Sequence, residues 1–276
     1  MNKPFELPIK VAILDLYEGV PNEGMRCIRN LVDAFKSDHE LAITSEEFEI
    51  RKQNNIPPID FDIYISSGGP GSPTESEGSI WDDSYMNWLS TIEKWNQDPI
   101  NTRKKYVFFI CHSFQLACRY FKIGNLRKRK STAFGVFPIH MIDNAREEVV
   151  FNGLRDPFYG VDSRDFQVVE VEKQQNIDFN ILCIEKERPH VLLERAVMAI
   201  RFNPYMIGTQ FHPEADAKGM SMYLQRDDKK NTVIENHGYE KWKSMIEHLN
   251  DPDKISQTNK LILPNFMSKA LLELTN

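Results

Sequence analysis

Short apolar runs alternate with amphipathic stretches through the first half of the chain. Ile9 to Leu16 is a compact run rich in β-branched residues, the pattern of a strand buried on both faces. Met25, Ile28, Leu31, Val32 and Phe35 then recur at helical spacing. A weaker strand is expected from Phe48 to Arg51. A strong one follows from Phe61 to Ser67 and ends in Gly68-Gly69-Pro70-Gly71-Ser72-Pro73, a turn-forming loop. Tyr85, Trp88, Leu89 and Ile92 mark one face of a helix from Ser84 to Trp95. Lys105 to Ile110 is the most pronounced central strand. It runs directly into Cys111 and a helix from Phe114 to Phe121, closed by Gly124.

Strands and helices alternating at this spacing imply right-handed crossovers and a mainly parallel sheet covered on both sides. From Ser131 to Thr209 the rhythm shortens. Phe134 to Ile142, Phe166 to Val171 and Ile181 to Glu185 read as antiparallel or mixed additions to that sheet. Met206 to Phe211 is another strand, and it delivers His212-Pro213-Glu214. The remainder is helical in pattern, most clearly in Tyr239 to Leu249 and Pro264 to Leu274. The expected partition is an α/β domain over 1–216 with a helical C-terminal extension, 217–276, packed on it.

Composition narrows the functional classes. In 276 residues, 41% are hydrophobic and 27% charged, enough for a substantial core without covalent staples. A net charge of −6 leaves no broad basic face for phosphate neutralisation, so no nucleic-acid partner is expected. Met1 to Pro8 holds no long apolar run, so neither a signal peptide nor a membrane span is expected, and the cytoplasm is the expected location. Four cysteines without Cys-x-x-Cys spacing point to free thiols rather than a disulfide framework or a zinc site, and no metal or cofactor is called for. Cys27, Cys118 and Cys183 sit in apolar stretches and read as buried hydrophobes.

Cys111 stands apart. A cysteine at an abrupt strand-to-helix junction occupies a nucleophile elbow, exposed at the strand's carboxyl end with a helix N-terminus beside it. Such surroundings favour the thiolate over a free thiol titrating at about 8.5. His212 and Glu214 follow another strand. Two residues apart on extended chain, they point to one side, so the carboxylate can orient the imidazole as general base. Alone, His212-Pro213-Glu214 also reads as an ordinary turn, as does the glycine-rich loop at Gly68 to Gly71. That loop lacks the Gly-x-x-x-x-Gly-Lys-Ser/Thr phosphate pattern, and its backbone amides suit a developing oxyanion.

Ser67 to Pro73, Ile110-Cys111-His112-Ser113-Phe114-Gln115 and Gly208-Thr209-Gln210-Phe211-His212-Pro213-Glu214 resemble, in order, three signature segments of the class I, triad-type glutamine amidotransferases. Across residues 9–216 the chain is similar to the glutaminase domain of GMP synthase, as a stand-alone protein. The resemblance implies a flavodoxin-like three-layer sandwich in which Cys111 attacks the side-chain amide of glutamine, giving a glutamyl thioester and ammonia. It also implies His212 as acid/base, Glu214 as its orienting partner, the amides of Gly69 and His112 as oxyanion hole, and Gln115 in the substrate pocket. A separate synthetase subunit would be the usual ammonia acceptor. A γ-glutamyl peptidase or hydrolase with the same triad, or a non-catalytic module keeping the fold, are the alternatives.

The chain departs from the family's Gly-x-Cys-x-Gly-x-Gln. Phe109 and Ser113 replace both glycines, which predicts altered packing under the elbow and an added hydroxyl near the pocket. Asp165 lies where relatives often contact substrate, but Ser163-Arg164-Asp165-Phe166 itself reads as a surface turn. Arg127-Lys128-Arg129-Lys130 reads as a solvated loop. His112 contacts substrate or covers the elbow, and Met220, Met222, Tyr239 and Trp242 read as core or docking residues.

Overall fold

The computed structural model describes residues 8–39, 42–172, 178–187, 193–249 and 254–275; most of the N-terminal octapeptide lies outside them. The strands are β1 (Ile9–Asp15), β2 (Ile43–Glu49), β3 (Ile63–Ser66), β4 (Tyr106–Ile110), β5 (Asn125–Met141), β6 (Phe158–Val169), β7 (Asn180–Glu185), β8 (Val197–Asn203) and β9 (Met206–Thr209). The helices are α1 (Glu23–Ser37), α2 (Ile80–Gln97), α3 (His112–Tyr120), α4 (Ala217–Gln225), α5 (Asp227–His237), α6 (Tyr239–Leu249) and α7 (Ile255–Thr275).

Among the described residues the strands form one sheet in the order β2-β1-β3-β4-β9-β8-β7-β5-β6. Its first five strands are parallel, in the flavodoxin-like order, and the remaining pairings are antiparallel. Side chains of β4 alternate between two cores, as the two-residue period requires. Tyr106, Phe108 and Ile110 join α1 and α7 on one face, while Val107 and Phe109 join α2 and α3 on the other. A third cluster, with Val161, Met220, Leu224, Val233 and Met245, packs α4 to α6 on β5 and β6.

Several boundaries differ from the sequence expectation. β2 begins at Ile43, α2 at Ile80 and α3 at His112, immediately after the cysteine. β8 is an addition. Pro264 lies inside α7 rather than at its start. A mid-helix proline typically costs about 3 kcal/mol, and here fully buried Ile262, Leu263 and Phe266 offset it. The basic run Arg127 to Lys130 is part of β5, not a loop, with Arg127 opposite Gln167 and Lys128 opposite Phe166. Both arginines are paired: Arg127 with Glu170 at 2.5 Å, and Arg129, turned inward, with Glu185 at 3.2 Å.

Candidate active site

β4 delivers Cys111 into a strained turn. Its backbone adopts φ 49° and ψ −95°, and its N–H donates to Thr209 O at 2.8 Å. A non-glycine residue there carries about 1–3 kcal/mol of strain, so its surroundings must hold it. Ser113 is the brace. Its hydroxyl accepts from the Ile110 amide at 2.8 Å and donates to Ser66 O at 2.7 Å, tying the elbow to the end of β3. The expectation of a new hydroxyl near the pocket is therefore corrected: Ser113 is fully buried and its oxygen is engaged by backbone. Phe109 lies opposite Gly208 of β9 and packs edge-on against Phe202 at 5.7 Å. A Cβ on Gly208 would come within 3.0 Å of Phe109 Cβ, so the missing side chain makes room for the phenylalanine.

His212 arrives just beyond β9, where its amide donates to Val161 O at 2.7 Å. Its Nδ1 lies 2.8 Å from Glu214 Oε1, and the Cys111 sulfur is near enough to act on the charge of its ring. Burial alone would lower the imidazole pKa, but the Glu214 carboxylate, hydrogen-bonded to the ring, and the Cys111 sulfur beside it hold it well above 6.5. The sulfur further lies 3.7 Å from Gln210 Nε2 and 3.8 Å from Ser163 O. Gly68 permits this approach. A Cβ there would stand 2.8 Å from His212 Cε1 and 3.6 Å from Cys111 Cβ.

Glu214 is 1% exposed, and its Oε2 has no hydrogen-bond partner. Its segment is latched at two points. Asp216 caps α4 and holds Arg26 of α1 through bonds of 2.8 and 3.0 Å, while Asn259 of α7 donates to Glu214 O at 2.8 Å.

The other expected site residues gather on the same cavity, of about 940 Å³. Gln115 Nε2 donates to Phe166 O at 3.2 Å and to Gln210 Oε1 at 3.1 Å, joining a chain that reaches the sulfur. Gly69 lines the wall, and Arg51 clips its loop by donating to Pro70 O at 2.6 Å while lying 4.9 Å over Trp81. His112 is 2% exposed, with Nε2 unpartnered. Burial, followed by the charges of Arg51 and Arg119, holds its pKa down at about 3, so the ring is neutral.

Asp165 is not in a turn: it belongs to β6, lines the cavity and accepts from Thr132 Oγ1 at 2.5 Å. Its neighbour Arg164 is buried against Asp162 at 2.9 Å and stiffens the strand behind Ser163. Sequence reasoning missed Arg51, Gln210, Ser163 and Tyr17, which lines the cavity with its hydroxyl 3.2 Å from where a Cβ on Gly68 would stand. Gln210 lies within a signature segment and Ser163 beside Asp165, whereas nothing local marks Arg51 and Tyr17. Among the described residues no three His, Cys, Asp or Glu gather as a metal site requires, and no helix is long and apolar enough to cross a membrane.

Comparisons agree with this architecture. A glutamine amidotransferase from Thermotoga maritima superposes with a TM-score of 0.68 at 11% identity, covering 95% of this chain and 98% of that one. One from Methylobacillus flagellatus gives 0.63 at 11% identity, covering 98% and 96%. The glutaminase domain of Trypanosoma brucei CTPS, solved with bound acivicin, gives 0.50 at 10% identity, covering 75% and 86%. At such identities these matches establish the fold alone. No curated protein matches the sequence at a significant level. Residues 20–230, however, match the sequence profile of Glutamine amidotransferase class-I, well over half the length, and the chain therefore belongs to the class I glutamine amidotransferase family.

Proposed function

We propose that this protein is a thiol-dependent amidohydrolase that opens the side-chain amide of glutamine, or of a γ-glutamyl compound, through a thioester on Cys111. The observation that carries this reading is the His212 ring held by a buried Glu214 at 2.8 Å and meeting the Cys111 side chain across Gly68, where an added Cβ would stand 2.8 Å from His212 Cε1 and 3.6 Å from Cys111 Cβ. The imidazole takes the thiol proton as sulfur bonds to the amide carbon. The resulting oxyanion is met by the backbone amides of Gly69 and His112, donors fixed before reaction and therefore needing no reorganisation. Collapse of the intermediate breaks the C–N bond, and the imidazolium protonates the leaving amine. Water activated by the same ring then adds to the thioester, releasing the acid and the thiol. Glu214 keeps the ring in the correct tautomer and balances its charge.

Gln210 stands 3.7 Å from the sulfur with Gln115 hydrogen-bonded behind it, and both suit a polar substrate. All four cysteines are free, which fits a reducing cytosol. Released ammonia passes to water or to a separate synthetase subunit. The test is intact-protein mass spectrometry after exposure to a glutamine-like diazo-ketone or acivicin. One adduct is expected, mapping to Cys111, because burial pushes Cys27, in the same cavity, up to about 12. A folded protein that acquires no adduct, or acquires it elsewhere, refutes the assignment.

A further inference from the structure

The reacting groups make up only part of the cavity's lining. Its 940 Å³ lies at the upper end of the range of about 300–1,000 Å³ that encloses drug-sized ligands, far more than an amino acid with an ammonia leaving group fills. Part of the wall is apolar and aromatic, and it adjoins the nucleophile: Phe134 pairs with Ser163, whose carbonyl lies 3.8 Å from the sulfur, while Arg226 lies 5.6 Å over the Tyr223 ring. Phe134 of β5 and Tyr223 of α4 lie 5.2 Å apart between ring centroids, with Val161, Met220 and Val233 beside them and Val20 also on the lining. This wall is built rather than incidental. Val161, Met220 and Val233 are all under 8% exposed and belong to the core that seats α4 to α6 on β5 and β6. Such a surface offers nothing to ammonia, which is small and strongly hydrated, but it desolvates an apolar group.

Resting on the amidohydrolase reading, we infer that the Phe134–Tyr223 wall is a leaving-group subsite, and that the substrate class is γ-glutamyl amides of aromatic or bulky apolar amines. In the first half-reaction the sulfur–carbon bond forms and the bond to the amine nitrogen breaks. The thiol proton travels through His212 to that nitrogen, and the neutral amine departs along the apolar wall. Water then cleaves the thioester to free glutamate, so the balance needs no further reagent. Selectivity lies in the wall because sulfur and imidazole treat all such amides alike, whereas even small apolar contacts in a pocket discriminate by about tenfold or more.

The experiment compares kcat/KM for γ-glutamyl phenethylamide, γ-glutamyl ethylamide and glutamine, the two amides having leaving amines of similar basicity. The phenethylamide is expected to exceed the ethylamide by about tenfold or more in the native protein. Tyr223→Ala and Phe134→Ala, both at half-buried positions, should each bring that ratio close to one. Equal rates for the two amides in the native protein overturn the subsite, even if both are hydrolysed. A ratio that survives in both folded variants overturns it as well. Failure of the folded protein on all three substrates refutes the amidohydrolase reading and the subsite with it.

Discussion

Replacing Ser113 tests how the elbow is held. Its hydroxyl accepts from Ile110 N at 2.8 Å and donates to Ser66 O at 2.7 Å, at a position with no solvent access. Ser113→Ala deprives a buried donor and a buried acceptor of this partner at once. Each such loss costs about 1–3 kcal/mol, so the pair amounts to about 2–6 kcal/mol. For chains slightly shorter than this one, 1 kcal/mol moves the melting temperature by about 2–4 °C, which gives an expected fall of about 4–24 °C. Ser113→Gly restores the family's residue but should fall at least as far, since glycine adds about 1 kcal/mol of helix penalty at the start of α3. Circular dichroism melts and guanidinium midpoints at unchanged slope provide the readout, with the rate of thiol alkylation as a second measure of elbow geometry. Either variant melting within about 1 °C of the native protein would show that the hydroxyl is not the brace described here.

Other perturbations address the groups around it. Gly68→Ala places a Cβ 2.8 Å from His212 Cε1, and the displaced ring should lower kcat by about 10²-fold or more with little change in the melt; unchanged kcat contradicts the close approach. Glu214→Gln keeps the shape but removes the charge that sustains His212, so the pH at which activity rises should shift measurably and kcat should fall less than in Cys111→Ala; an identical pH profile refutes the coupling. His112 makes a stability prediction. Its pKa is near 3 in the fold against 6.5 ordinarily, so the unfolded chain gains a proton first as pH falls. Its contribution is therefore complete above pH 6.5 and is lost below it at up to about 1.4 kcal/mol per pH unit until about 3. Denaturation of His112→Gln beside the native protein between pH 6.5 and about 5 should reveal a flatter slope; parallel curves refute a buried neutral ring.

The strands that carry the site were legible because their signals are local. Lys105 to Ile110 and Met206 to Phe211 are apolar runs with abrupt ends, and they deliver Cys111 and His212 where the sequence placed them. What escaped reading depends on distant partners. Ser163-Arg164-Asp165 resembles a turn until Arg164 is seen buried on Asp162, with Glu185 3.8 Å away. β8 is apolar but interrupted by Arg201, whose charge is matched by Glu148 from a remote loop at 2.9 Å. Arg51, which clips the glycine loop, sits in a polar stretch with no periodicity to mark it. Charged residues in strands look like loops when their counter-ions lie many residues away.

The two latches tie the backbone that carries Glu214 to the first and last of the described helices: Arg26 of α1 holds Asp216, and Asn259 of α7 holds the Glu214 carbonyl. The sulfur is thus synthesised long before the group that orients its base can be anchored, and a partly made chain carries a thiol that is not yet armed. Asn259→Ala removes the α7 latch alone and should leave the β-structure unchanged by circular dichroism while slowing alkylation of Cys111 relative to the native protein; an unchanged alkylation rate refutes the coupling.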